Sequence, residues 1–218
     1  MTRHIDMTDK IRPTESDVLM IIDVQRDFCA GGALAVPEGD DIVPVVNRLA
    51  RSFENAILTQ DWHPADHRSF ASRHNGKKPF DEVQMPYGAQ TLWPDHCRQG
   101  TPGAEFHSDL DVPGAQLVVR KGFRRDIDSY SAFFENDRTT STGLSGYLRT
   151  RGLTRVFVAG LATDFCVRYS AVDARKEGFD VVLVEDACRG LDQGGSLNAA
   201  MTAMNEAGVR LISSSIFT

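Results

Sequence analysis

Short apolar runs of strand length alternate with helical patterns along most of this 218-residue chain, and that alternation restricts its folds more than any other feature. The runs fall at 18–24, 56–61, 116–121, 155–162, 180–185 and 209–213. They are rich in Val, Ile and Leu without clean in/out alternation, as expected of strands covered on both faces. Between them, Ile42, Val46, Leu49 and Phe53 recur at helical steps, with Pro44 tolerable in a first turn. Residues 164–177 and 195–207 also read as helices, the second with a stripe of Leu197, Met201 and Met204 and with Gly208 placed to end it. Strands alternating with helices imply parallel pairing through right-handed crossovers. The expected fold is therefore a three-layer, doubly wound α/β domain with a mainly parallel sheet and helices on both faces. No repeat, low-complexity tract or linker divides the chain, so a single domain is expected over 18–218, preceded by an N-terminal extension over 1–17.

Charge narrows the partners. Lys and Arg number 24 against 30 Asp and Glu, a formal net charge of −6, which offers no overall attraction to nucleic acid or an anionic membrane. The longest aliphatic run, Val18 to Ile22, is far too short to span a bilayer, and the first 17 residues hold no apolar core of a secretory signal. Four cysteines, at 29, 97, 166 and 188, form no CxxC pair. A cytoplasmic protein in a reducing compartment is expected, acting on a small molecule, with homo-oligomerisation left open.

One interval breaks the alternation. Residues 62–115 carry Pro64, Pro79, Pro86, Pro94, Pro102 and Pro113 and little periodicity, and long ordered loops are usually functional. In an open parallel sheet, ligands bind beyond the carboxyl ends of the strands. Here VLMII runs into Asp23, AILTQ into Asp61, QLVVR into Lys121, and RVFVAGLATDF into Cys166. Any one could be a turn former or a strand-end charge, but four at one edge are candidates for nucleophile, base and electrostatic stabiliser. Cys166 is expected in the first turn of a helix, with Thr163 or Asp164 as N-cap, where free backbone N–H groups favour thiolate and could receive an oxyanion. Cys29, Cys97 and Cys188 read as structural. Asp61 and His63 in QDWHP, with His67 and with His96 in WPDHC, read either as solvated loop residues or as a donor set suited to zinc, iron or manganese. His74 and His107 read as solvated.

The motifs DVQRDFCAGGALAV (23–36), QDWHP (60–64), WPDHC (93–97), VRKG (119–122) and GLATDFCV (160–167) occur in that order. Together they give a chain that resembles the nicotinamidase/pyrazinamidase family within the isochorismatase-like hydrolases. The resemblance implies a catalytic triad of Asp23, Lys121 and Cys166, and metal ligands Asp61, His63 and His96, with His67 matching a further ligand of some members. It also implies ring-contacting aromatics at Phe28, Trp93 and Tyr130, an oxyanion held by the N–H groups of Ala162 and Cys166, and a cis Leu161–Ala162 peptide. The activity implied is hydrolysis of nicotinamide to nicotinate and ammonia through a cysteine thioester, in NAD salvage, with pyrazinamide as a further substrate. The cofactor implied is one divalent transition metal, zinc or iron, with manganese a third alternative. Two other readings share some of these residues: a metal-free cysteine amidohydrolase of the same superfamily, and a non-enzymatic metal or thiol sensor. The former lacks the QDWH and WPDHC set. An isochorismatase proper lacks the nucleophilic cysteine.

Overall fold

Met20, Ile22 and their neighbours are uninterruptedly aliphatic because β1 (Asp17–Ile22) runs through the middle of a sheet and is buried at every residue. The computed structural model describes residues 10–217; residues 1–9, part of the expected extension, and residue 218 lie outside them. The main sheet also contains β2 (Ala56–Asp61), β5 (Ala115–Lys121), β6 (Arg155–Leu161), β7 (Asp180–Arg189) and β8 (Arg210–Ile212). Its order is β5-β2-β1-β6-β7-β8, and every neighbouring pair is parallel. A separate antiparallel hairpin, β3 (Glu82–Met85) and β4 (Gly88–Thr91), lies inside the proline-rich interval.

Two apolar clusters cover the two faces of the sheet. On one, Leu19, Ile21 and Phe157 meet Val46 and Leu49 of α1 (Val43–Ala50). On the other, Met20, Ile22 and Val158 meet Leu148 of α2 (Leu144–Thr150), Ala171 and Ala174 of α3 (Arg168–Lys176) and Met204 of α4 (Ser196–Glu206). The doubly wound α/β arrangement read from the sequence is present, with helices on both faces.

Several boundaries differ from the sequence expectation. The first helix is only Val43–Ala50, entered through a 3-10 turn at Gly39–Ile42, and Phe53 packs beyond its end, 4.9 Å from the Phe157 ring. Strand β5 is not covered on both faces, because it is an edge strand with Gln116, Val118 and Arg120 exposed. The hairpin and α2 carry too little apolar periodicity to be read from sequence. Part of the expected extension packs on the domain: Ile11 is buried and its N–H donates to the Ile216 carbonyl at 2.8 Å. Among the described residues no helix is long and apolar enough to cross a membrane.

The site is placed by the position of β1. From it the chain extends to β2 and β5 on one side and to β6, β7 and β8 on the other, so strand order reverses between β1 and β6. The carboxyl ends of four adjacent strands, β5, β2, β1 and β6, thereby deliver Lys121, Asp61, Asp23 and the turn carrying Cys166.

Gly160 makes the last pairing of β1 with β6 feasible. Its φ is +126°, and a Cβ there would stand 2.1 Å from the Ile22 carbonyl oxygen, next to Asp23. Gly160→Ala is expected to cost more than about 2 kcal/mol through strain and overpacking, lowering Tm by roughly 4 °C or more in thermal denaturation.

Candidate active site

Asp23 follows β1 with φ +47°, a left-handed conformation unusual for a residue with a Cβ. Thr59 of β2 anchors it: the Asp23 N–H donates to Thr59 Oγ1 at 3.1 Å, and that hydroxyl donates to Asp23 Oδ1 at 2.6 Å. Lys121 is fully buried, and its Nζ bonds Asp61 Oδ1, the Ser129 carbonyl (3.2 Å) and Cys166 Sγ (3.3 Å). Asp23 Oδ2 lies against the same ammonium at 2.7 Å. A carboxylate oxygen of Asp23 lies within 4.8 Å of Cys166 Sγ. Base, cation and thiol thus form one cluster.

Its electrostatics follow from burial and from the one ammonium. Burial pulls Lys121 down, but Asp23 and Asp61 outweigh it and hold the ammonium well above its usual value. Burial raises Asp61, yet Lys121 and His63 keep it well below the usual carboxylate range. Burial also raises Asp23, and here the Lys121 attraction does not overcome it. The Cys166 thiol is pushed well up by burial, with Asp23 and Asp61 adding to the effect and Lys121 opposing it. Burial thus opposes the ionisation that a helix terminus alone would favour. The expected cap is corrected. Cys166 lies in a π-turn, Thr163–Val167, whose N-cap is Ala162 without a side-chain bond. The Asp164 carboxylate is occupied elsewhere, accepting from Leu191 N–H (3.0 Å), Asp192 N–H (2.9 Å) and Ser196 Oγ. The Leu161–Ala162 peptide is cis.

A second cluster adjoins the first through Asp61. Its Oδ2 lies 3.5 Å from His63 Nε2 and 3.7 Å from His96 Nε2, and all three groups are buried. The His63 Nδ1–H donates to the Gly122 carbonyl and the His96 Nδ1–H to the Pro94 carbonyl, both at 2.8 Å. Carbonyls only accept, so each ring carries a hydrogen on Nδ1 and turns its Nε2 toward Asp61. Three acceptors within 4.8 Å of one another, with fixed tautomers, fit a transition-metal ion. His67 is not brought into this trio. The Ser69 N–H donates to its Nδ1 at 3.3 Å, so its Nε2 carries the hydrogen and gives it to the Ile127 carbonyl at 3.3 Å. Burial and the neighbouring His63 pull His67 down to about 4.

A cleft opens over both clusters. Cys166, Ala162, Asp61, His63 and His96 form its floor, with Phe28, Trp93 and Tyr130 among its walls. Tyr130 Oη accepts from Trp93 Nε1 at 3.1 Å and from Gln90 Nε2 at 3.0 Å, which fixes both aromatics. Cys29, Cys97 and Cys188 are buried and free. His74 and His107 are not simply solvated: Nε2 of the first bonds the Arg68 carbonyl and that of the second bonds Asp40.

Sequence reasoning missed the residues that position this machinery. Gln25 brackets Asp61, accepting from its N–H at 2.8 Å and donating to its carbonyl at 2.9 Å. Asp27 accepts from the Cys97 N–H at 2.7 Å, which fixes the loop holding His96. Both stand in DVQRDF, where a polar residue at every second position was the available signal. Phe165, Leu34 and Leu191 also line the cleft, as does Asp128, for which the sequence offered none.

The comparisons agree with this geometry. The family model for the isochorismatase domain matches residues 17–215. The nicotinamidase of Acinetobacter baylyi is 52% identical over 205 residues, covering 94% of this chain and 96% of its own. A solved structure of a nicotinamidase and pyrazinamidase from Acinetobacter baumanii superposes with a TM-score of 0.92 at 54% identity, over 93% of this chain and 98% of the other. The pyrazinamidase of Pyrococcus horikoshii, solved in complex with zinc, gives a TM-score of 0.75 at 37% identity, over 91% and 99%. With the family model matched over nearly the whole described chain and relatives identical at 52% and 54% over more than nine-tenths of it, the chain belongs to the isochorismatase family.

Proposed function

We propose that this chain is a nicotinamidase, hydrolysing nicotinamide to nicotinate and ammonia through a Cys166 thioester, with pyrazinamide as a second substrate. The observation that carries the reading is the buried Lys121 ammonium, which bonds the thiol of one cluster and the carboxylate of the other beneath an aromatic-walled cleft. The names of the close relatives support the substrate.

Cys166 Sγ attacks the carboxamide carbon while its proton passes to the Asp23 carboxylate. A base and a thiol both raised by burial suit a transfer that waits for substrate. Negative charge then develops on the amide oxygen, which the backbone N–H groups of Ala162 and Cys166 face. Collapse breaks the C–N bond, and the proton on Asp23 leaves with ammonia. A water, giving its proton to Asp23, attacks the thioester carbon; the C–S bond breaks, the sulfur recovers a proton and the acid departs. Lys121 holds Asp23 and Cys166 in register throughout.

Asp61 Oδ2 and the Nε2 atoms of His63 and His96 would hold the metal, zinc or iron by this donor set. When bound, it supplies a cationic partner for the ring nitrogen of the substrate. Phe28 and Trp93 sandwich the ring, and Tyr130 backs Trp93. The free buried cysteines support a reducing, cytoplasmic setting.

Cys166→Ala is expected to lower the ammonia-release rate by at least about 10³-fold with an unchanged circular dichroism spectrum, and Asp23→Asn by about 10² to 10⁴-fold. A Cys166→Ala protein keeping a tenth of the rate would remove the nucleophile assignment. Elemental analysis of the purified chain should find about one transition metal per chain, lost in His96→Ala. Full stoichiometry and activity in that variant would show that the histidines hold no metal. Benzamide, the same shape without the ring nitrogen, should be a poorer substrate by up to ~10⁴-fold, and chelation should slow nicotinamide turnover far more than benzamide turnover. Equal kcat/KM for the two amides in metal-loaded enzyme would return the chain to the broader cysteine amidohydrolases.

A further inference from the structure

We propose that Asp128 belongs to the cation site as an outer carboxylate: it raises affinity for a divalent metal by its charge, without ligating the ion, and His67 holds it in place. The inference rests on the metal site proposed above.

Asp128 lies in the loop between β5 and α2, is 2% exposed and lines the cleft. One of its oxygens is within 4.8 Å of ring nitrogens of both His63 and His67. Its two oxygens hold one hydrogen bond each, Oδ1 from the Ser129 N–H and Oδ2 from Gln90 Nε2, both at 2.8 Å. The arginines of its own loop are engaged elsewhere, Arg124 with Glu135 and Arg125 with Asp66 and Asp126. The buried ammonium nearby, Lys121, is shared by Asp23 and Asp61. A buried carboxylate without a cation is costly, and with the ammonium taken by Asp23 and Asp61 the Asp128 carboxylate calls for positive charge of its own. A divalent ion on Asp61, His63 and His96 supplies it at the position Asp128 faces.

His67 has a place in this arrangement that is not that of a ligand. Because its Nδ1 accepts the Ser69 N–H, the ring is neutral and donates from Nε2 to the Ile127 carbonyl, tethering the peptide that leads into Asp128. It adds no positive charge of its own beside His63. Groups in this outer position typically change metal affinity by about 10 to 100-fold when removed.

The test is a chelator-competition titration with Zn²⁺ of the wild-type chain and of Asp128→Asn, Asp128→Ser and Asp128→Glu, with Tm of each metal-free protein measured alongside. The two neutral variants should bind Zn²⁺ about 10 to 100-fold more weakly while their metal-free forms melt no lower than wild type, since a buried like charge has gone. Asp128→Glu, which keeps the charge but alters the hydrogen bonds, should stay within a few-fold of wild type. Should Asp128→Asn fail to fold, Asp128→Ser carries the comparison. Wild-type affinity in the neutral variants, or equal weakening in Asp128→Glu, overturns the role of charge. A wild-type chain that binds no Zn²⁺ overturns the metal site itself and this inference with it.

Discussion

The buried ammonium of Lys121 is the interaction on which the site depends. Moving a lysine out of water is expensive, and it stays charged because Asp23 and Asp61 lie beside it and a backbone carbonyl takes one of its hydrogens. Remove either acid and the remaining groups lose their reason to be ionised at that depth. The sheet makes the cluster feasible: only with β5, β2, β1 and β6 adjacent and parallel do four strand ends converge on one point. The strand order is therefore the first determinant of the chemistry, ahead of any loop.

The same order explains what could be read from the sequence. Central strands buried on both faces are aliphatic until the chain nears the edge of the sheet, so the charged residue that closes each run, directly at Asp23 and after one or two further polar residues at Lys121 and Asp61, marks a strand end. This is why Asp23, Asp61 and Lys121 were legible from pattern alone. Edge strand β5 blurs the rule, since half of its residues face solvent, yet its last residue still turns inward. Where structure is stabilised by hydrogen bonds between loop atoms, pattern says nothing. Gln25 around Asp61, Thr59 under Asp23 and Asp164 against the 191–196 segment are set by pairing across distant stretches of chain. The failed expectation at Asp164 shows the same limit: an acid before a helix reads as a cap, but its carboxylate found better partners in three donors of another segment.

Protonation was the least legible property. A cysteine near a helix terminus reads as activated, because the dipole is visible in sequence and desolvation is not. Full burial beside two carboxylates reverses the sign.

The two clusters are joined a second time by the backbone. Lys121 reaches the nucleophile, while the next residue, Gly122, gives its carbonyl to His63 Nδ1 and so sets the tautomer that frees Nε2. Gly122 has φ +64°, and a Cβ there would stand 2.3 Å from the His63 ring. No other residue type allows the chain to turn and the imidazole to approach at once. Two consecutive residues therefore serve opposite ends of the cleft, one through its ammonium and one through its carbonyl. Any displacement of the end of β5 would move the thiol's partner and the metal-side histidine together, so a substrate held between the two clusters meets a floor of fixed length.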